Sequence, residues 1–421
     1  MPDMSCTFES LLYHTPAPLT SLGRVFPYMP PAYYFVRLRY FMNMTRIPQA
    51  ITSKFQTSRA SDGETSSVKI ENCVGFTRVP LGVAGPLQVQ GSDGTTGSFY
   101  GPLATCEATL IASCSRGCKA LNMCQGVRFK ILHDSMSRAP AFWFANTEDA
   151  VAFFDLVPSL QPKFKKDAES TSKHIRLRTV IPHIVGSSVH VRFEYLCGDA
   201  AGQNMVTIAT QRVCDRFSAS AEAHALRLQR ITTDNQMSSD KKLAWGNIIR
   251  TRGVRVLVWG SVSNDVSKRV LGCSTELLYQ SILNSKEGAA MNGQLGYSVN
   301  PSNVIAAMFI ACGQDAASVA EAAWSQLTAE YDADTKLLRL ISYFPSLPVG
   351  VVGGGTAYPT QWESLEILGC NVPGTKHRLA GLIASFSLAL DISTLAALAT
   401  QTFSRSHEKL ARGRWSPETK L

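Results

Sequence analysis

The stretch HIRLRTVIPHIVGSSVHVRFEYL, residues 174–196, contains two runs in which apolar and polar side chains alternate. The second run is the clearer one, because every other residue in it is large and apolar: Val189, Val191, Phe193 and Tyr195. A period of two residues is typical of a β-strand with one buried face, and IVGSS at 184–188 supplies a turn between the runs. The stretch therefore predicts a β-hairpin.

The hairpin lies in a segment, residues 140–232, that reads as a small α+β domain inserted between helical parts. Residues 199–217 follow the hairpin and predict a loop that enters a helix. Outside the insertion, a helix is predicted at 104–122, with Glu107 stacked on the face of two cysteines. A second long, mostly apolar helix or helix pair is predicted at 376–410. From residue 243 onward, helical patterns dominate.

Composition excludes several classes of protein. The chain has 421 residues, 45% of them hydrophobic and 17% charged, which indicates a folded globular protein. The net charge of +9 comes from scattered basic residues without interleaved aromatics, so nucleic acid is not a predicted partner. A modest basic excess suits anionic small molecules, and a merely solvated basic surface is the alternative. Eleven cysteines without a CxxC pair or zinc-like spacing predict no metal site.

The N-terminus, MPDMSCTFESLLYHTPAPL, lacks the basic and apolar regions of a signal peptide. The longest apolar stretch, residues 379–398, contains Asp391 and several hydroxyl residues, which favours a buried helix over a membrane span. The expectation is a reduced, cytoplasmic protein without a transmembrane segment in this chain.

Four titratable residues lie in apolar or glycine-rich surroundings: Glu107, the DKK triplet's Lys241, Asp315 and His407. Each has a plain structural alternative, such as a helix-start carboxylate, a solvated loop or an exposed histidine. Asp315 is the exception, because a carboxylate between VIAAMFIACG and AASVA requires a charged or hydrogen-bonding partner.

Two glycine-rich segments, GDAAGQN at 198–204 and GVVGGGT at 350–356, match neither a dinucleotide fingerprint nor a P-loop. Glycines there would let backbone amides approach a phosphate, and an ordinary tight turn is the alternative.

Together these segments resemble 3-hydroxy-3-methylglutaryl-coenzyme A (HMG-CoA) reductase of the eukaryotic, class I type. The matching stretches occur in the family order: ENCVGFTRVPLGVAGPL (71–87), LATCEATLIASCSRGCKA (103–120), GDAAGQNMV (198–206), SDKK (239–242), IACGQDAA (310–317), VGVVGGGT (349–356) and SRSHEKLAR (404–412). No stretch matches the family's N-terminal membrane domain, so the resemblance implies a catalytic portion.

The resemblance implies an α+β fold, with a large, mainly helical domain around a central helix and an inserted ferredoxin-like cofactor-binding domain. The expected division is an irregular or helical N-terminal segment (1–70), a substrate-binding catalytic domain (71–139 and 244–421), an NADPH-binding domain (140–232) and a catalytic loop (233–243). Family members are dimers of dimers with active sites shared between subunits, so a homotetramer is expected.

The family reduces HMG-CoA to mevalonate and CoA by two hydride transfers from NADPH, supplying the isoprenoid and sterol pathway. By position, Lys241 would stabilise the oxyanion, and Glu107 would supply a proton. His407 would protonate the departing CoA thiolate, because histidine titrates near neutral pH. Asp315 would hold Lys241 and Glu107 in one charge network.

Binding positions also carry over from the resemblance. The expected CoA contacts are Ser113 and Arg116, and the expected acyl-group contacts are Arg138, Asp240, Lys242 and Asn303. The positions expected to bind NADPH are Ser172, Lys173, Asp199, Gly202, Asn204, Gly353, Gly354 and Arg412. Lys173 and Arg412 would hold the 2′-phosphate that distinguishes NADPH from NADH.

The chain departs from the family at several of these sites. The changed positions are Ala201 and Gln203 for two methionines, Asp234 for a pocket serine, Asn284 for a lysine, Asn300 for a histidine and Ala411 for an asparagine. These changes motivate a second hypothesis, a diverged paralogue that binds CoA thioesters with little or altered activity. Retention of all four catalytic positions favours an enzyme. A cysteine- or metal-dependent hydrolase is disfavoured, because neither a cysteine beside a base nor four metal ligands at workable spacing is visible.

Overall fold

The structure, a computed structural model, describes residues 68–71 and 73–404. The chain divides into two compact units, Met1–Arg78 and Val79–Leu421, and the fold below is that of the second. The N-terminal segment predicted for 1–70 lies almost wholly outside the described residues.

Ten strands form the sheet of the second unit: β1 (Leu81–Gly91), β2 (Thr96–Ala104), β3 (Val127–Arg138), β4 (Ala141–Phe144), β5 (Arg176–Val185), β6 (Ser188–Leu196), β7 (Leu228–Thr232), β8 (Gly253–Val262), β9 (Gln326–Asp332) and β10 (Leu337–Leu347). The α-helices are α1 (Leu110–Asn122), α2 (Thr147–Glu169), α3 (Gln203–Ser218), α4 (Ala221–Ala225), α5 (Gly246–Ile249), α6 (Asn264–Val266), α7 (Thr275–Met291), α8 (Pro301–Ala311), α9 (Val319–Ala322), α10 (Pro359–Ile367) and α11 (Lys376–Ala399). A π-helical turn (Ser267–Leu271) follows α6, and a 3-10 turn (Ala316–Ser318) precedes α9.

Strand β3 belongs to both halves of the sheet. Its residues 127–135 pair with β8, and its last three residues, 136–138, pair with β6. One half has the strand order β2-β1-β3-β8-β10-β9. The other half is the antiparallel order β7-β4-β6-β5, connected as β4-α2-β5-β6-α3-β7. That connection is the β-α-β-β-α-β pattern of ferredoxin-like folds. The predicted α+β fold class is confirmed.

The predicted hairpin is confirmed as β5 and β6, but the polar face of β6 is buried as well. His190, Arg192 and Glu194 are at most 8% exposed. The reason is that the chain between β7 and β8 covers this face, where Arg192 donates to the carbonyl oxygens of Met237 at 3.3 Å and Arg250 at 3.2 Å. The small sheet is thus attached to the segment that carries the DKK triplet.

The prediction that helices dominate after residue 243 is wrong for three strands, β8, β9 and β10. In β8 the buried residues include Val254, Val256 and Val258, while Leu257 and Trp259 on the opposite face are also apolar. Because large apolar residues occur on both faces in its centre, residues 256–259 form a continuous apolar run, and such a run does not differ from that of a buried helix.

Helix α11 is the core of the larger half, in agreement with the expected central helix. It is long and apolar enough to cross a membrane, but 89% of its apolar window is buried inside the protein. Helix α1 packs closely against it at Gly117, where an added Cβ would lie 1.7 Å from the carbonyl oxygen of Ala389. Only glycine permits that approach.

Candidate active site

Lys241 and Asp315 form an ion pair between two loops that are far apart in sequence. The Lys241 ammonium lies 2.8 Å from Oδ2 of Asp315, and the side chains are 41% and 38% exposed. Asp315 is fixed at the start of the 3-10 turn, where its Oδ1 accepts a hydrogen bond from the Ala317 N–H at 3.0 Å. A cation that is oriented from one side and open on the other can meet a negative charge that develops on a ligand.

Asp240 lies beneath this pair, between two guanidinium groups. Its Oδ2 is 2.9 Å from Arg138, and its Oδ1 is 2.7 Å from Arg252. Burial disfavours ionisation of Asp240, but Arg252 and Arg138 together outweigh it and hold its pKa below the ordinary value. Arg138 also lies 2.9 Å from Asp234, so one guanidinium already has two carboxylate partners.

Arg252 and Glu321 were not predicted as part of the site. Both side chains are fully buried, and they form an ion pair with each other. The Glu321 Oε1 also accepts a hydrogen bond from the Lys241 N–H at 3.3 Å. Burial raises the pKa of Glu321 to about 6, against the opposing effect of Arg252. The signal in the sequence is a lone acid in ASVAEAAW, six residues after Asp315.

Glu107 lies in the loop between β2 and α1, and the prediction that places it on the helix with two cysteines is wrong. Helix α1 begins at Leu110, after Thr109 with a φ of 83°. The exposed Glu107 accepts a hydrogen bond from the Asn303 amide at 2.7 Å. Within the described part of the chain, Glu107 has no hydrogen bond or ion pair to Lys241 or Asp315.

Asn303 is placed by the N-terminus of α8, which begins at Pro301 with Asn300 at the N-cap. The Asn300 N–H donates to Oδ1 of Asp391 at 2.7 Å, and its amide donates to Thr394 at 3.2 Å. Asp391 is 1% exposed, and burial raises its pKa to about 7.

The glycine-rich segments lie side by side. Ala200 and Val352 form a parallel bridge, and the carbonyl oxygen of Asp199 accepts a hydrogen bond from the Val351 N–H at 2.8 Å. The IACGQDAA loop joins them through Gln314, which accepts from the Gly350 N–H and donates to its carbonyl oxygen, both at 2.9 Å. Three separate sequence motifs therefore meet in one place, beside Asp315.

A profile of the hydroxymethylglutaryl-coenzyme A reductase family matches residues 37–412. The chain belongs to this family. It is 39% identical to the HMG-CoA reductase of Haloferax volcanii over 83% of this chain and 86% of that one. It is 33% identical to the Schistosoma mansoni enzyme, covering 89% of this chain and 39% of that protein. A class II HMG-CoA reductase from Streptococcus pneumoniae, solved with NADPH in open conformations, shares the fold with a TM-score of 0.65 at 18% identity, over 90% of this chain and 89% of that one.

The reductase-family positions expected for the cofactor divide into two groups. Asp199, Gly202, Gly353 and Gly354 lie in the paired glycine-rich loops, and Asn204 is exposed in the first turn of α3. The three glycines have φ of 89°, 84° and 60°, so L-residues there are disfavoured. This geometry fits a phosphate approached by backbone amides. Ser172 and the exposed Lys173 lie apart from these loops, just before β5.

The two positions on α1 that are expected to contact CoA, Ser113 and Arg116, have different surroundings. Arg116 lines a cavity of about 660 Å³ together with Lys119 and Arg269, two cations that were not predicted. Arg116 is oriented by Ser393, whose Oγ it reaches at 2.9 Å and whose carbonyl oxygen it also contacts, at 2.6 Å. Ser113 does not line the cavity, and its Oγ forms a hydrogen bond with Oγ of Ser393 at 2.9 Å.

Lys242 is exposed and donates to the carbonyl oxygen of Asp240 at 3.1 Å. His407 and Arg412 lie outside the described residues. Within residues 68–71 and 73–404, no three His, Cys, Asp or Glu side chains are grouped as metal ligands.

Proposed function

We propose that this chain reduces HMG-CoA to mevalonate and CoA, with NADPH as the hydride source. The observation that carries the proposal is the Lys241–Asp315 pair, held at 2.8 Å between two loops that both match the reductase family. Thioester reduction requires a cation where negative charge develops on the carbonyl oxygen, and Lys241 presents one. The reaction uses two NADPH for each thioester.

Asp315 orients Lys241, and the open side of the ammonium receives the oxyanion. Because the pair is only partly exposed, the attraction between the ammonium and the oxyanion is stronger than in bulk water. Lys241 is thus the electrophilic group of the proposed mechanism.

Glu107 supplies the proton in this proposal. Asn303 holds one of its oxygens, which leaves the other for a substrate or a water molecule. Since Glu107 does not contact Lys241 within one chain, we propose that the two meet across the interface of a homo-oligomer, a dimer of dimers with shared sites. His407 is proposed to protonate the CoA thiolate.

NADPH is proposed to bind the paired glycine-rich loops and the N-terminal end of α3. The first turn of α3 presents free N–H groups, and Gly202 lets the chain turn into that helix. Lys173 and Arg412 are the proposed partners of the 2′-phosphate. With this assignment, residues 140–232 are the cofactor-binding domain, and 71–139 with 244–421 bind the substrate.

The CoA phosphates are proposed to bind the cavity lined by Arg116, Lys119 and Arg269. Three cations around one cavity suit a ligand with several phosphate charges. The acyl group is proposed to lie across the same subunit interface, between Asn303 on the Glu107 side and Arg138, Asp240 and Lys242 on the Lys241 side.

We also propose that the chain is of the eukaryotic, class I type and acts in the cytoplasm. The support is the set of stretches that resemble the class I family, together with 33% identity to the Schistosoma mansoni enzyme.

The second candidate is a diverged paralogue that binds CoA thioesters with altered turnover. Asp234 favours it, because this carboxylate lies 2.9 Å from Arg138 and competes with any substrate carboxylate for the same guanidinium.

The experiment is NADPH oxidation by the purified chain with HMG-CoA, with mevalonate identified as the product. Lys241→Ala is expected to lose at least about 100-fold in kcat, because removing one oxyanion partner costs about that much. Lys336→Ala is the matched control, since both lysines have left-handed backbones, with φ of 55° and 51°, and Lys336 is exposed in the β9–β10 turn.

Turnover that survives in Lys241→Ala would remove this lysine from the mechanism. Tight CoA-thioester binding by the wild-type chain without NADPH consumption would instead establish the second candidate.

A further inference from the structure

Lys241 is held at both ends by one short segment of chain. Asp315 contacts its ammonium at 2.8 Å, and Glu321, six residues later, accepts from its main-chain N–H at 3.3 Å. The 3-10 turn and α9 join these two carboxylates, so the segment carries both restraints as one unit.

The Glu321 carboxylate is anchored by Arg252. Both side chains have no exposed surface, and the second terminal nitrogen of Arg252 lies 2.7 Å from Asp240, the residue before Lys241. Arg252 therefore connects a carboxylate that precedes Lys241 with the carboxylate that binds its backbone. A charge in this position requires such partners, because an unpaired buried charge is strongly disfavoured.

The loop needs a restraint of this kind. Ser239 and Lys241 have φ of 59° and 55°, and neither is glycine. L-residues rarely adopt this region, and they remain there only where surrounding structure fixes them. The contact from Glu321 falls on Lys241 itself.

We propose that Glu321, through its ion pair with Arg252, is a positioning residue that fixes the Lys241 loop and keeps the Lys241 ammonium on Asp315. Its effect on turnover rests on the function proposed above, whereas its effect on the lysine does not. Glu321 is not expected to touch substrate or cofactor.

The charged side chains that face Glu321 are Arg252 and Asp240. The neutral backbone N–H of Lys241 also donates to it, and Asp315 faces the other end of Lys241. Arg252 and Arg138 keep the pKa of Asp240 low, so Asp240 stays ionised in mild acid. Burial raises the pKa of Glu321 to about 6, so Glu321 becomes protonated as the pH falls through that value. The contacts of the Glu321 carboxylate with Arg252 and with the Lys241 N–H should weaken in the same pH range.

The test is competitive acetylation of the whole chain with acetic anhydride, read by mass spectrometry as the ratio of Lys241 to Lys336 labelling. Glu321→Gln preserves shape but removes the charge. The ratio is expected to rise about fivefold, the factor for releasing a half-exposed ion pair worth about 1 kcal/mol. Glu330→Gln is the matched control, because its pair with Arg339 is exposed and 4.0 Å long, and its ratio should not change.

In the same variants, kcat for HMG-CoA should fall with Glu321→Gln, while KM for NADPH should stay within about twofold.

An unchanged labelling ratio in folded Glu321→Gln overturns the proposal. If that variant does not fold, the wild-type ratio between about pH 7.5 and 5 decides, because it should rise as Glu321 takes up a proton, and a constant ratio overturns the proposal. A chain without reductase activity still yields the ratio, so failure of the proposed function remains distinguishable.

Discussion

Asp391→Asn should change how the stability of the chain depends on pH. Asp391 lies within α11, is 1% exposed, and accepts a hydrogen bond from the Asn300 N–H at 2.7 Å. In the described part of the chain, no Lys, Arg or His forms an ion pair with it. Burial therefore dominates and raises its pKa from 3.8 to about 7, although the hydrogen bond from the Asn300 N–H opposes the shift.

The magnitude follows from linkage between proton binding and folding. The folded chain binds the Asp391 proton more tightly than the unfolded chain, so this contribution to the free energy of unfolding is fully present below about pH 4 and is lost as the pH rises toward 7. A pKa difference of about 3 corresponds to about 4 kcal/mol, because each pH unit is worth about 1.4 kcal/mol. An asparagine keeps the acceptor for Asn300 and carries no charge at any pH.

The assay is urea unfolding of the wild type and Asp391→Asn across a pH series. The two should have similar stability near pH 4, and the variant should become more stable by up to about 4 kcal/mol at pH 8. Asp155→Asn, on the exposed side of α2, is the control and should follow the wild type. Parallel curves for the wild type and Asp391→Asn would refute the reasoning, since they would show that burial does not hold the proton on Asp391.

Two further substitutions test the loops around the site. Gly202→Ala should lose about 1–3 kcal/mol of unfolding free energy in urea, because φ is 89° and the new Cβ would lie 2.4 Å from Sγ of Cys197. KM for NADPH should rise in the same variant. An unchanged free energy of unfolding would show that alanine is not strained at this position. Asp234→Ser should lower KM for HMG-CoA about tenfold, with kcat nearly constant in initial-rate assays, because Arg138 loses one of two competing carboxylates. An unchanged KM would show that Arg138 does not meet the substrate.

Local pattern was sufficient for the hairpin, because β5 and β6 alternate over a short stretch and a turn separates them. It failed for β8, whose less buried face also carries Leu257 and Trp259, and for the start of α1, which is set by the bend at Thr109 after β2 ends. Fold class depends on local alternation of apolar and polar residues, which a short stretch of sequence shows. The boundaries of helices and strands depend on packing against residues that are distant in the sequence.

The candidate site was accessible from sequence only through resemblance. Lys241 and Asp315 carry no mutual periodicity, and β8 and the helices α5 to α8 lie between them in the chain, although their side chains meet at 2.8 Å. Arg252 and Glu321 were missed, because nothing in a single sequence distinguishes a buried charge from an exposed one until its partner is known.

The charges of the site form two layers with different roles. The upper layer, Lys241 and Asp315, is more than a third exposed, and such a pair contributes about 1 kcal/mol or less to stability. That energy is too small to hold two loops in a strained conformation, so the geometry must come from a buried layer, the fully buried Arg252 and Glu321 together with the partly buried Asp240. Substitutions in the upper layer should therefore change chemistry with little effect on folding. Substitutions in the buried layer should change both, and comparing unfolding with turnover separates the two layers.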